Sequence, residues 1–262
     1  MTLLILAEAS DDTAARFAAF AESRGIEAVL ASEFGSVEVT ITVERDLRHR
    51  CVILADGRPV TAILNRGPVG LSSQRSSAMR FAAEERYAAL WAALALWPGP
   101  VINRPSEYGF PPRVDPLEAA MLSPALQAVG AIANNHEVPG NYAYRVDDWS
   151  QLNAATVTPH EVVHVIDLDE SRTHRMLVAG TRTFDVSEPG YPLDAARYAA
   201  RIQELRRWLE SKFVDFAIIT MLSSDAPGGA LGLLEISPWA HRFQFESVED
   251  EVYSALLERL GW

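Results

Sequence analysis

Leu231-Gly232-Leu233-Leu234-Glu235-Ile236-Ser237-Pro238-Trp239 is the stretch whose reading decides how the rest of the chain is taken. Its apolar density reads as a buried strand, and Pro238 stops the ladder because it has no N–H to donate. Successive strand residues point to opposite faces, so Glu235 and Ser237 share one. A carboxylate and a small oxygen ligand on one face are what a divalent-metal or nucleotide-phosphate site needs. The plainer reading is a sheet that exposes polar residues at its end. The remainder of the chain has to decide between the two.

Composition narrows the field. With 262 residues the chain can bury a full core as one large domain or two small ones. Apolar residues are 48% and charged residues 22%, which is the balance of an ordinary globular protein. The apolar start, Thr2 to Ala7, is short and is followed by Glu8, Asp11 and Asp12, unlike a signal peptide, so the cytoplasm is the expected location. No stretch is long enough to span a membrane. A formal charge of −12 argues against nucleic acid as a partner. Cys51 is the only cysteine, which excludes an internal disulfide and a cysteine-rich zinc site. It lies beside Val52 and Ile53 and reads as a buried thiol. Of 23 basic residues only Lys212 is a lysine, so a mechanism that grips phosphate with lysine has one candidate.

Periodicity organises the first half as strand 3–7, helix 11–24 and strand 27–30, with Ser10 or Asp11 as N-cap and Gly25 as C-cap residue. Strand 37–43 alternates strictly, strands at 51–54 and 62–64 follow, and an Ala-rich helix runs over 72–97. The second half predicts a helix over 117–129, a strand over 142–145, and a short helix starting at Asp147-Asp148. Strands over 161–166, 175–179 and 183–186 precede an amphipathic helix over 194–212. Strand 216–222, the Glu235 strand and a closing helix over 248–260 complete the pattern.

The order of these segments resembles the ATP-grasp superfamily, in particular the carboxylate–amine ligases of natural-product pathways. Asn65-Arg66-Gly67-Pro68, the Glu84-Glu85 helix and Asn103-Arg104-Pro105 are similar to that group's N-terminal preATP-grasp domain. Glu137-Val138-Pro139 resembles the approach to the ATP-binding lid, and His160-Glu161-Val162-Val163 the hinge that contacts adenine. Arg175 with Gly180 resembles the phosphate-binding arginine strand. Strands 216–222 and 233–238 resemble the two that carry metal ligands. The resemblance implies an α/β fold: a preATP-grasp α/β domain over 1–107 and a C-terminal grasp domain with a mostly antiparallel sheet over 108–262.

Departures from the family pattern shape the functional expectation. Only a dozen residues separate Asp147 from His160, where the family has a lysine-bearing lid, so the grasp domain is expected to be lid-less. Thr220 stands where the family has its first metal-binding aspartate, and Ser237 where it has asparagine. Glu235 alone keeps the family's identity, and one carboxylate is marginal for Mg²⁺ between phosphates. No cofactor is assigned, because these changes argue against ordinary use of ATP and Mg²⁺.

His160-Glu161-Val162-Val163-His164 also spells HExxH, which on a helix offers two imidazoles to zinc. Pro159 suits a helix start, but the β-branched neighbours favour a strand. Strand residues four apart lie about 13 Å from each other, too far to share one ion. Zinc is therefore not expected. Ser223-Ser224-Asp225 with Pro227-Gly228-Gly229 reads as a hairpin turn.

By the resemblance Arg175 and Glu235 are the candidate catalytic pair, with Glu235 also the candidate metal ligand. Arg66, Arg104, Ser237, His241 and Arg242 are the candidate substrate-binding residues. Two functions follow. One is a lid-less protein that binds a small anionic metabolite, an amino acid or peptide, or an intact ATP-grasp ligase, without ligating. The other is an enzyme that still forms an amide-type bond with ATP or a pre-activated substrate. A homodimer is a further expected assembly.

Overall fold

The computed structural model describes residues 1–32, 36–46, 48–67, 77–107, 109–112, 114, 118, 126–128, 131–134, 144–147, 151–154, 162–166, 173–223 and 231–262. The chain opens with β1 (Thr2–Leu6), buried along its whole length. Helix α1 (Asp12–Ser23) follows, and the Asp11 carboxylate caps it by accepting the Ala14 amide at 3.0 Å. β2 (Glu27–Ala31) then pairs in parallel with β1, as the strand–helix–strand pattern predicts. A hairpin of β3 (Val37–Val43) and β4 (His49–Ala55) leads into β5 (Arg58–Asn65), which returns to pair in parallel with β1. Helix α2 (Ser77–Leu96) packs on β3 and β4, and β6 (Val101–Ile102) joins β5 in parallel. The resulting strand order is β2-β1-β5-β4-β3, with β6 also on β5. Leu90, Leu94 and Trp97 of the α2 region pack against Ile53 and Ile63. Cys51 is buried in this layer, its thiol donating to the Ala93 carbonyl at 3.5 Å, and burial raises its pKa. Pro68 and residues 72–76 lie outside the described residues.

Two expectations fail in the middle of the chain. The helix over 117–129 does not reach its predicted end, because Leu126–Ala128 is a strand, β7. Hydrogen bonding to a buried neighbouring strand outweighs helix propensity, which is weak over so short a stretch. The short helix at Asp147 is also absent. Asp147 ends β9 (Tyr144–Asp147) and pairs with Gln151 of β10 (Gln151–Ala154). Asp148 lies outside the described residues.

With β8 (Ala131–Asn134) and β11 (Val162–Ile166) these strands form a four-stranded antiparallel sheet in the order β10-β9-β11-β8. Of the span from Asp147 to His160, where a deleted lid was expected, the described residues hold one strand, β10, which pairs with β9. The span contains no lysine. His164 lies in β11, opposite Ile132 and Val146, as the strand reading of HExxH requires. His160, Glu161 and Glu137-Val138-Pro139 lie outside the described residues.

The third sheet carries the C-terminal half. β12 (Thr173–Ala179) pairs with β13 (Arg182–Asp185) and, after helix α3 (Ala195–Ser211), with β14 (Phe216–Ser223). β15 (Leu231–Ser237) pairs antiparallel with β14 and parallel with β7, giving β13-β12-β14-β15-β7. Residues 224–230, where a hairpin turn is expected, lie outside the described residues. Two-residue periodicity splits the strands cleanly. Met176, Val178, Ala217 and Ile219 pack under Tyr198, Leu205 and Leu209 of α3. Leu177, Ala179, Phe216 and Ile218 face the other way. There they join Leu3, Ile5 and Phe17 of the first half and Tyr253 and Leu256 of the closing helix α4 (Glu249–Leu260). One core thus runs through both halves. Gly180, at φ 57°, lets α4 approach: a Cβ there would lie 2.7 Å from Arg259 Cβ and 3.2 Å from the Ala255 carbonyl. Among the described residues no helix is long and apolar enough to cross a membrane.

A buried amide joins the halves. Asn103, at φ 54°, accepts the Asp215 and Phe216 amides on Oδ1, each at 2.9 Å, and donates Nδ2 to the Phe216 carbonyl at 2.8 Å. Its own carbonyl accepts Asn65 Nδ2 at 2.7 Å. Both asparagines are fully buried. Truncating Asn103 to alanine leaves two amides and a carbonyl without their partner, at ~1–3 kcal/mol for each orphaned group. Urea unfolding of Asn103→Ala should show a loss of about 3 kcal/mol or more; a loss below about 1 kcal/mol would contradict the joint.

Candidate functional site

The third sheet sets three polar side chains in a row. Arg175 on β12 stands opposite Thr220 on β14, and Thr220 opposite Glu235 on β15. Directly opposed residues of an antiparallel ladder share a face, so the row crosses three strands on the side of the shared core. The register shifts just past Thr220, leaving Leu234 unpaired beside Glu235, a bulge that bends β15 at the carboxylate. The Thr220 hydroxyl donates to Glu235 Oε2 at 3.4 Å. Burial pushes the Glu235 carboxyl up to a pKa of about 7, the Thr220 hydrogen bond and the Arg175 charge offsetting only part of that rise. Arg175 itself is half exposed and forms an ion pair with Glu188 at 3.3 Å. Ser237 continues the row's face, but its hydroxyl accepts the Trp239 amide at 3.3 Å and so braces the turn around Pro238.

This donor set is a poor fit for Mg²⁺ on ATP phosphates. Such an ion wants one or two ionised carboxylates beside the phosphates. Here a single carboxyl, half protonated near neutrality, has hydroxyls for neighbours. Among the described residues no group of three or more His, Cys, Asp or Glu side chains could hold a metal. The one lysine is engaged elsewhere: Lys212, on the loop after α3, pairs with Glu118.

The candidate arginines divide by what they touch. Arg104 lies at the end of α2, where Nη1 donates to the Leu94 and Trp97 carbonyls and Nη2 to the Gly99 carbonyl, each at 2.7 Å. It caps that helix and is not brought to the Arg175–Glu235 row. Arg66 is buried and holds Asp11 through Nε at 2.7 Å and Nη2 at 3.2 Å, a bidentate pair. Its carbonyl accepts the Trp239 indole N–H at 2.9 Å, so the end of β15 meets the end of β5. Arg242 donates Nε to both Glu249 oxygens at 3.0 Å and Nη2 to Glu246 at 2.9 Å. The His241 ring stacks on Phe243, with centroids 5.7 Å apart and planes at 9°.

Arg66, His241 and Arg242 nonetheless line one pocket of about 350 Å³ together with Asp11, Trp239 and Phe243. Arg175 lines a second, more open groove of about 600 Å³ with Asp185, Ser187 and Glu188. Phe243 borders both and is 75% exposed. Three of the five candidate binding residues thus converge, although both arginines among them already have carboxylate partners.

Three sheets in this order, with an arginine strand and a glutamate strand flanking the central strand of the last, are those of the ATP-grasp fold. No protein-family model matches the sequence, and no curated protein matches it either. Solved structures do. The chain is similar to the macrocyclase MdnC bound with precursor peptide MdnA from Microcystis aeruginosa MRC. The identity there is 13% and the TM-score 0.67, with 98% of this chain and 100% of that chain covered. It is also similar to the ATP-grasp ligase PsnB complexed with minimal precursor, Mg and ADP. In that case the identity is 14% and the TM-score 0.69, over 99% and 98% of the two chains. A third is the Chryseobacterium gregarium RiPP-associated ATP-grasp ligase in complex with ADP and a leader and core peptide, at 13% identity and TM-score 0.59 over 99% and 96%. At such identities the likeness establishes the fold.

Residues that sequence reading passed over complete the pocket. Asp11 announces itself only as an N-cap, yet it also neutralises Arg66. Trp239 and Phe243 carry no motif, and their aromatic character in a loop after a strand end was the available signal.

Glu235 has a stability signature. The folded carboxyl keeps its proton up to about pH 7, whereas the unfolded one releases it near 4.5. The folded state therefore binds more protons between these values, and stability falls as pH rises from 4.5 through 7. The expected loss is on the order of 2–3 kcal/mol. Glu235→Gln should abolish it in parallel urea titrations across that range; an unchanged slope in the variant would contradict the assignment.

Proposed function

We propose that the protein is an ATP-grasp descendant that binds a peptide in a natural-product pathway and does not perform ordinary Mg²⁺–ATP-dependent ligation. The observation that carries this is the Arg175–Thr220–Glu235 row, in which one carboxyl, protonated about half the time at neutral pH, stands where a set of anionic metal ligands would be needed. The lysine-free small sheet over 131–166 supports it as a remnant of the family's lid, offering no ammonium to a phosphate. For the ligand, the pocket beside Trp239, His241 and Phe243 favours an extended chain that can lay side chains on aromatic surface. A small anion gains less there, because Arg66 and Arg242 already have carboxylate partners. MdnC, PsnB and the Chryseobacterium ligase were each solved with precursor-type peptides, which is consistent with a peptide partner.

The second reading, an active carboxylate–amine ligase of the same lineage, has two observations in its favour. One strand of the small sheet, β10, lies between Asp147 and His160, and Arg175 and Glu235 stand in one row on the two strands that flank β14.

Calorimetry separates the two. Titration of ATP with Mg²⁺ into the protein should give no saturable binding in the micromolar range. Low-micromolar affinity for ATP or ADP would restore the ligase reading. A precursor-type peptide encoded beside this chain should bind, and Trp239→Ala with Phe243→Ala should weaken that binding at least tenfold, about 1.4 kcal/mol.

A further inference from the structure

A serine and a histidine meet on the far side of the third sheet. The two-residue period that sends Arg175, Thr220 and Glu235 to one face sends His174, Met176, Met221 and Ser223 to the other, on which α3 packs. His174 on β12 stands opposite Met221 on β14, so Ser223, two residues on at the end of β14, is its diagonal neighbour. His174 Nε2 lies 2.9 Å from Ser223 Oγ. The ring's other nitrogen, Nδ1, lies 3.1 Å from the Tyr191 carbonyl oxygen. The histidine is buried, while Ser223 is half-buried and Tyr191 is exposed.

These hydrogen bonds assign the proton on the ring. A carbonyl oxygen only accepts, so Nδ1 carries a hydrogen and donates it to Tyr191. In the neutral ring Nε2 is then the acceptor, and the Ser223 hydroxyl donates to it. A hydroxyl bonded to a bare imidazole nitrogen, with the ring oriented by a third group, is the arrangement that activates a nucleophile. Here the third group is itself held in place. The Asp185 carboxylate accepts the Ser187 amide on Oδ1 at 3.0 Å and the Leu193 amide on Oδ2 at 2.9 Å. The Tyr191 amide donates to the Glu188 carbonyl at 2.8 Å. The loop that presents the Tyr191 carbonyl is thus pinned on both sides of it. Neither His174 nor Ser223 lines the pocket at Trp239 or the groove at Arg175.

We infer that Ser223 and His174 form a nucleophilic acyl-transfer site for an activated acyl ester or thioester. Ser223 Oγ attacks the acyl carbon as its proton passes to His174 Nε2. The bond from that carbon to the leaving oxygen or sulfur breaks, the electron pair goes with the leaving group, and the imidazolium returns the proton to it as an alcohol or thiol. Water or a primary amine then attacks the acyl-serine and gives a proton to Nε2. The bond from the acyl carbon to Ser223 Oγ breaks, and the serine regains its proton from the ring. The orienting group sets the substrate class. A backbone carbonyl fixes the tautomer as a carboxylate would, but it is neutral and stabilises the developing imidazolium less. An amide, with its poor leaving group, is therefore out of reach, and an ester or thioester is required. The acyl carbon arrives already activated, so the step consumes no ATP. This activity goes beyond peptide binding at Trp239 and Phe243 and does not rest on it.

p-Nitrophenyl acetate is the probe, added to the full chain without peptide, ATP or Mg²⁺, so its outcome is separate from that of the peptide and ATP titrations. The wild type should release a burst of p-nitrophenolate equal to the protein concentration, followed by slower turnover. Peptide mapping by mass spectrometry should place the acetyl group on Ser223. Ser223→Ala should remove the burst, and His174→Gln should slow acylation about a hundredfold or more. Ser223→Cys keeps a nucleophile beside the ring and should still become acetylated, which a purely structural hydrogen bond does not explain. His49→Ala removes an exposed imidazole from β4 and should leave the burst unchanged, which separates the site from ester hydrolysis by surface histidine. Circular dichroism checks the fold of each variant, and the mapping on the wild type decides even where a variant fails to fold. A wild type without a burst would overturn the proposal. So would an acetyl group mapped to another residue, or a folded Ser223→Ala that reacts as fast as the wild type.

Discussion

The carboxamide of Asn103 holds the first sheet to the third. Its two polar atoms and its carbonyl reach Asp215, Phe216 and Asn65, and all of these groups are buried. Inside a core such groups must be paired, so the position of β14 relative to β5 and β6 is fixed to within a hydrogen bond. Everything nearer the site depends on that. Trp239 can close onto the Arg66 carbonyl, and α4 can lie against Gly180, because the two sheets are held at this spacing. A polar residue at φ 54° also explains why asparagine stands there, since few other side chains tolerate that backbone.

The same joint revises what the family-like segments do. Asn65-Arg66 and Asn103-Arg104 carry the resemblance in the first half, and all four side chains work inside the protein. The asparagines stitch sheets, Arg66 anchors the Asp11 cap, and Arg104 closes the end of α2. Gly180 serves the approach of α4. The last sheet differs: Thr220 and Glu235 satisfy one another as a hydroxyl and a carboxyl, an arrangement that is self-consistent without a cation. The ATP-grasp fold is thus held here by packing and buried amides.

Most of the fold was legible in the sequence because its elements are long or strictly periodic. The alternation over Val37–Val43, the amphipathic α3 and the buried run Leu231–Ser237 each give a boundary within a residue or two. The failures were short. Leu126–Ala128 and Gln151–Ala154 have three and four residues, too few for either period to emerge, and their strand state is imposed by neighbours distant in sequence. At the site, the strand geometry that puts Glu235 and Ser237 on one face was readable. The engagement of Arg66 by Asp11 and of Arg242 by Glu249 was not, because sequence shows which charges exist and never which of them already have partners.

The state of Glu235 decides whether the row can serve Mg²⁺ and ATP, and it can be read directly. Carbon NMR of the Glu235 side-chain carboxyl, followed through a pH titration of the folded protein with and without Mg²⁺ and ATP, reports its protonation. The expected midpoint is about 7, and added Mg²⁺ and ATP leave it in place. A midpoint near the ordinary 4.5, or a fall toward it when Mg²⁺ and ATP are added, would contradict it.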